Sequence, residues 1–185
     1  MPRRSNRVRL LLLSDTHGQV HPQILALAGG VDMIVHAGDI GHPDVLAALT
    51  SAGQVLHAVR GNNDVASKWP ADGRALLDAL DDQLAIELPG GVLVAEHGDR
   101  VNPAARRHEL LRAGHPQARL IVYGHSHRQV IDDAVTPWVV NPGAAGRSRT
   151  YGGAGCVVLT ASTQRWELAP FRYVLGRMKG DGLIE

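Results

Sequence analysis

The sequence predicts an α/β fold, a four-layer αββα sandwich in which two mixed β-sheets lie face to face with helices outside both. Three observations carry that reading. The first half alternates short apolar runs with helical stretches, the pattern of parallel strands joined by crossover helices. The second half holds many strand-like runs separated by turn signals, with a single clear helix among them, which requires a second sheet. The residues able to do chemistry sit at, or within a residue or two of, the ends of these runs, where an α/β sheet delivers side chains to one edge.

Residues 8–14 read as a strand, with Leu10 to Leu13 as its continuous apolar run. Residues 21–28 read as a helix ended by Gly29-Gly30, and residues 31–37 as a second strand. A helix over 43–51, with Gly53 after it, leads to a third strand over 55–59. Residues 84–88 and 92–95 flank Pro89-Gly90-Gly91 and so form a hairpin. A helix over 103–113 precedes a strand over 120–123. Strand-like runs follow at 130–132, 138–140, 154–160 and 165–168, with turns at Asp132-Asp133 and Gly152-Gly153. No repeat, low-complexity block or linker divides the chain. Residues 1–185 are therefore expected to form a single domain with a core over about 8–170 and loose tails at 1–7 and 176–185.

Composition excludes several function classes. With 44% hydrophobic and 20% charged residues over 185 positions and a mean hydropathy of −0.08, the chain reads as a soluble protein with no run long enough to cross a bilayer. The apolar run at Leu10 to Leu13 is followed by Asp15 and His17 rather than by a cleavable small-residue site, so a cytoplasmic location is expected. Lys+Arg of 19 against Asp+Glu of 18 gives a net charge of +1, which offers no global field for nucleic acid or membrane. Arg3, Arg4, Arg7 and Arg9 read as a solvated basic start. The single cysteine, Cys156, excludes a disulfide framework and a thiolate metal cluster, and its apolar neighbours make it a buried strand residue.

Five short motifs close strands in succession. Ser14-Asp15-Thr16-His17-Gly18 can turn an Asp and a His toward one ion, although Ser and Asp after a strand also cap helices. Gly38-Asp39 offers a carboxylate able to bridge two cations, or a plain turn. Gly61-Asn62-Asn63-Asp64 offers the Asn62 amide oxygen as a neutral ligand, or a turn that bonds its own backbone. His97-Gly98 and Gly124-His125-Ser126-His127 add three imidazoles. Each motif alone has an ordinary structural explanation; all five at strand ends point to a metal centre. Carboxylate, imidazole and amide without thiolate suit Mn²⁺, Fe, Zn²⁺ or Ni²⁺.

The order Asp-x-His, Gly-Asp, Gly-Asn-x-Asp, His-Gly, Gly-His-x-His resembles the calcineurin-like metallophosphoesterases over about residues 8 to 170. With the short chain and Asn141-Pro142-Gly143, it looks most like the small YfcE-type phosphodiesterases, related in fold to the Vps29 scaffold. The resemblance implies Asp15, His17 and His127 on a first metal, Asn62, His97 and His125 on a second, and Asp39 bridging. Two divalent ions, Mn²⁺ foremost, would share a hydroxide that attacks the phosphorus of a small-molecule phosphodiester. The sequence departs from the family at Asn63, where relatives carry His or Cys, and an amide cannot protonate a leaving group. His42 is the substitute candidate for acid or phosphate contact, Asp64 completes the Gly-Asn-x-Asp motif as a further catalytic candidate, and Arg100 is a candidate phosphate-binding cation. Neither membrane nor nucleic acid is an expected partner, and a homo-oligomer stays open. The competing readings are an interaction scaffold on the same fold and a nuclease, the latter with only the N-terminal arginines behind it.

Overall fold

The computed structural model describes residues 7–174. The expected tail at 176–185 and most of the basic start lie outside this range. Arg7, expected in the tail, instead opens the first strand.

The first sheet has the order β10-β9-β1-β2-β3. Strands β1 (Arg7–Leu13), β2 (Met33–His36) and β3 (Val55–Ala58) are parallel and joined by α1 (Pro22–Ala28) and α2 (Pro43–Leu49). β9 (Ala154–Ser162) returns antiparallel beside β1, and β10 (Trp166–Tyr173) closes that edge. The second sheet runs β4-β5-β6-β8-β7. Within it β5 (Gly91–Glu96), β6 (Leu120–Val122) and β8 (Trp138–Asn141) are parallel, while β4 (Gln83–Leu88) and β7 (Val130–Asp132) flank them antiparallel. Helix α3 (Arg74–Asp78) precedes β4, and α4 (Arg107–Gly114) precedes β6.

Strand alternation sorts the apolar side chains into three layers of packing. Leu10 and Leu12 of β1 face Leu93, Leu120 and Val140 of the other sheet across the central core. Leu11 and Leu13 face the other way, onto Ile24 of α1 and Val45, Leu46 and Leu49 of α2. On the far side, Val94, Ile121 and Val139 pack against Leu111 of α4. The result is the αββα sandwich. β1 is buried on both faces, which explains a continuous leucine run where a half-exposed strand would alternate.

Two elements differ from the sequence reading. Helix α3 spans five residues, too short for a 3.6-residue period to register. The last strand runs through Tyr173 rather than ending at Leu168, because β10 pairs with β9 along its whole length. Cys156 is buried in β9, and burial pushes its thiol up to about 12, as an inert strand residue requires. Among the described residues no helix is long and apolar enough to cross a membrane.

Candidate metal centre

The carboxyl ends of β1, β2, β3, β5 and β6 deliver the five motifs to one edge. There the loops of the first sheet are zipped together by backbone bonds: Asp15 N–H to Gly38 O at 2.9 Å, His17 N–H to Asp39 O at 3.0 Å, and Gly18 N–H to Ile40 O at 2.7 Å. The second sheet docks on them where the chain has no side chain. A Cβ on Gly124 would lie 2.9 Å from Ala37 O and from Asp15 Oδ2, so only glycine permits the approach. Asp15, His17, Asp39, His125 and His127 all take left-handed backbone, with φ between 48° and 66°. Such strain in residues with side chains persists only where surrounding structure imposes it, and it gathers at functional sites.

The side chains converge. Donor atoms of Asp15, His17, Asp39 and His127 all lie within 4.8 Å of one another. His17 Nε2 and His127 Nε2 stand 3.2 Å apart, each facing a carboxylate: Asp39 Oδ2 at 3.7 Å from His17 and Asp15 Oδ1 at 3.5 Å from His127. Beside them, His97 Nε2 lies 3.4 Å from Asp39 Oδ1 and 3.1 Å from Asn62 Oδ1, and His125 Nδ1 lies 3.1 Å from the same amide oxygen. The seven residues expected as ligands are thus brought to one place, with Asp39 between two groups of three.

Supporting bonds fix each donor. His97 Nδ1 donates to Ala37 O at 2.9 Å, which directs Nε2 at the centre. Ser14 Oγ donates to Asp15 Oδ2 and the His125 N–H to Asp15 Oδ1. Asn141 holds the Gly124-His125-Ser126 turn through Gly124 O at 2.7 Å and Ser126 Oγ at 3.0 Å.

Burial shapes the protonation of the cluster. It pushes Asp15 up to about 6 and lowers His17, His125 and His127, the last to about 4 with Arg149 contributing. Burial alone would raise Asp39, but hydrogen bonds and charge from His97, with Asn63, outweigh it and hold the carboxylate below its ordinary range. For His97 burial acts downward and is outweighed by Asp39 and Asp15, which carry it up to about 9.

The candidates beyond the ligands are placed differently. Asn63 faces the centre, its backbone N–H bonding Asp39 Oδ1 at 2.8 Å and its amide bonding Asp39 Oδ2 at 2.7 Å, while Lys68 Nζ donates to its amide oxygen. Asp64 turns away from the centre. Its buried carboxylate accepts from the N–H groups of Ile40, Gly41 and Gly61 and from the Trp69 indole, so it clamps the β2 and β3 loops rather than meeting a substrate. His42 caps α2, its Nδ1 accepting from Asp44 N–H. Arg100 pairs with Asp82 at 2.7 Å in a cleft of about 250 Å³ that also contains Asn62 and His97. Two contributors escaped the sequence reading. Asn141 was seen only as part of a motif, and Arg149, whose Nη2 lies 3.3 Å from His17 Nε2, sits in a loop with no signal beyond its charge.

Residues 8–164 match the calcineurin-like phosphoesterase superfamily domain. The chain belongs to this superfamily. Membership supports phosphoester hydrolysis and divalent metal binding, and the Asp and His cluster agrees with it. A protein named probable metallophosphoesterase MJ0623, from Methanocaldococcus jannaschii, is 28% identical over 139 residues; the match covers 72% of this chain and 66% of that protein, just under two thirds. Among solved structures, a single mutant of Vps29 from Entamoeba histolytica superposes with a TM-score of 0.69 at 17% identity, covering 89% of this chain and 99% of that one. A structure described as a novel archaeal phosphodiesterase gives 0.66 at 20% identity, covering 89% and 99%. At these identities the structural likeness is one of fold.

Proposed function

We propose that the protein is a metal-dependent phosphodiesterase that hydrolyses small phosphodiesters at a centre for two divalent transition metal ions, Mn²⁺ foremost, with Fe, Zn²⁺ or Ni²⁺ as alternatives. The observation that carries this is the approach of His17 Nε2 and His127 Nε2 to 3.2 Å, each backed by a carboxylate. Two imidazole nitrogens at that distance cannot both be protonated, and a shared cation accounts for the arrangement. The donor set of carboxylate, imidazole and amide fits the same ions.

Asp15, His17 and His127 would hold one ion, Asn62, His97 and His125 the other, and Asp39, with one oxygen toward each group, would bridge. Bound there, the ions would lower the pKa of water and polarise phosphoryl oxygens. The chain's own part is orientation. Asn63 aims both oxygens of Asp39, Ala37 O sets the His97 tautomer, and Asp64 keeps the two loops in register. The cleft beside Asn62 and His97 is sized for a small ester group.

Among the described residues no side chain placed like a leaving-group acid faces the centre: Asn63 cannot give up a proton, and His42 Nδ1 is engaged at its helix cap. The test is metal analysis of the purified protein together with hydrolysis of bis(p-nitrophenyl) phosphate in added Mn²⁺. Bound metal and metal-dependent turnover are expected; a protein that binds no metal and shows no turnover would overturn the reading. That second result would favour a scaffold role, for which the likeness to Vps29 and the apolar groove around Leu46, Leu56, Leu76 and Leu80 speak.

A further inference from the structure

Six residues other than glycine hold left-handed backbone among the described residues: Asp15, His17, Asp39, His125, His127 and Arg149. Five of them carry donors of the candidate metal centre. The sixth, Arg149 at φ 52°, lies in the loop between β8 and β9 and brings Nη2 to 3.3 Å from His17 Nε2. Conformational strain of this kind survives only where the surroundings enforce it.

The loop is fastened at both ends to the loops that build the centre. On the near side, Ala145 N–H bonds Ser14 O at 2.9 Å, His21 N–H bonds Ala145 O at 2.9 Å, and a Cβ on Gly146 would fall 2.3 Å from Thr16 O. On the far side the Tyr151 ring lies 4.3 Å beneath the guanidinium of Arg128, the residue after His127. Arg149 is therefore held at the rim of the Asp15, His17 and His127 group.

The side chains of Arg9, Arg60, Arg107 and Arg119 bond backbone carbonyls, whereas that of Arg149 meets an imidazole. Arg100, Arg106, Arg112 and Arg165 each pair with a carboxylate, whereas Arg149 has no carboxylate partner among the described residues and meets an imidazole instead. A guanidinium only donates, so His17 Nε2 is the acceptor, and that nitrogen is one of the donors of the centre. An ion that takes the nitrogen leaves the guanidinium charged, forked and without a partner beside the place where a phosphoryl group would bind.

We propose that Arg149 is a substrate-binding residue whose guanidinium grips the non-bridging phosphoryl oxygens of the phosphodiester at the His17 and His127 side of the site. This rests on the phosphodiesterase reading above. A diester phosphate shares one negative charge between two oxygens, and the planar fork matches that pair.

Calorimetric titration of inorganic phosphate into the Mn²⁺-loaded protein tests the contact without relying on turnover. Arg149→Asn tolerates the left-handed backbone and removes the charge, and Arg149→Lys keeps the charge without the fork. The phosphate Kd should rise by about tenfold to a hundredfold in Arg149→Asn and by less in Arg149→Lys, with Mn²⁺ affinity unchanged and KM for bis(p-nitrophenyl) phosphate raised. Unchanged phosphate affinity would overturn the proposal. So would a parallel loss of Mn²⁺ affinity, since Arg149 would then only prop His17. A wild-type protein that binds Mn²⁺ and phosphate but hydrolyses no diester would sink the phosphodiesterase reading and leave this contact standing.

Discussion

The two donor groups of the candidate metal centre differ in burial. Asp15 and His127 are buried, His17 is partly exposed, and with Asp39 their donors form a compact group fastened by the zipped β1 and β2 loops. On the other side only His97 is fully buried; Asn62 is exposed, His125 is half-buried, and the two imidazoles meet through a single amide oxygen. Preorganised donors cost less to gather around an ion than donors that must be ordered on binding. The first half should therefore hold its ion more tightly, and the open half, which adjoins the cleft, should be where the substrate's ester group is accommodated.

Removing what the halves share should do the most damage. Asp39→Asn keeps the size of the side chain and deletes the charge that would balance two cations. Turnover should fall on the order of a thousandfold, several kcal/mol of transition-state stabilisation. A steady-state assay at saturating Mn²⁺ that finds less than a tenfold loss would refute bridging by Asp39.

The halves can be separated one at a time. His17→Ala should weaken the tighter of two Mn²⁺ binding steps, and Asn62→Ala the looser, with His17→Ala the more costly to activity, about a hundredfold against about tenfold. Calorimetric isotherms distinguish them. If Asn62→Ala abolishes the tight step, the comparison is inverted.

In the proposed hydrolysis the open half would also carry the leaving-group side, where Asn63 stands with Lys68 behind it. General acid catalysis typically contributes about a hundredfold or more, so aryl phosphodiesters should outpace alkyl ones by on the order of that factor. Equal kcat/KM for the two classes would mean that an unrecognised acid is present.

The legibility of the site from sequence follows the same division of physical causes. Strand ends could be read because β1, buried on both faces, must be continuously apolar and because glycines mark the departures. That located the seven candidate donors, which the fold brings together. Asp64 was misjudged since a motif names a residue type at a position and says nothing about where its side chain turns; four donors around its carboxylate decide that. Arg149 could not be found at all, because its place depends on a loop brought back across the sheet edge, a long-range contact without local pattern. Helix α3 was lost for the opposite reason, being too short to show any period.

Proton occupancy gives the finest test of the two halves. A metal ligand must be an ionised carboxylate or a neutral imidazole. In the first half His17 and His127 are already pushed below the ordinary value, so only Asp15, raised to about 6, must shed a proton near neutrality. In the second half His97, raised to about 9, must give up the proton that Asp39 and Asp15 hold on it. The tight step should therefore reach full affinity just above pH 6, while the looser step should strengthen by up to about tenfold per pH unit until near pH 9. The metal-free protein should show the linked effect. Because the folded pKa of His97 lies above its ordinary 6.5, its charged form contributes stability fully present below about 6.5 and lost as pH rises through about 9. Titration of Mn²⁺ at pH 7.5 in two buffers of different ionisation enthalpy should report close to one proton released in the second step and almost none in the first. Equal release in both steps would show that the halves are not distinguished by His97, and the difference in burial alone would then have to carry the difference in affinity.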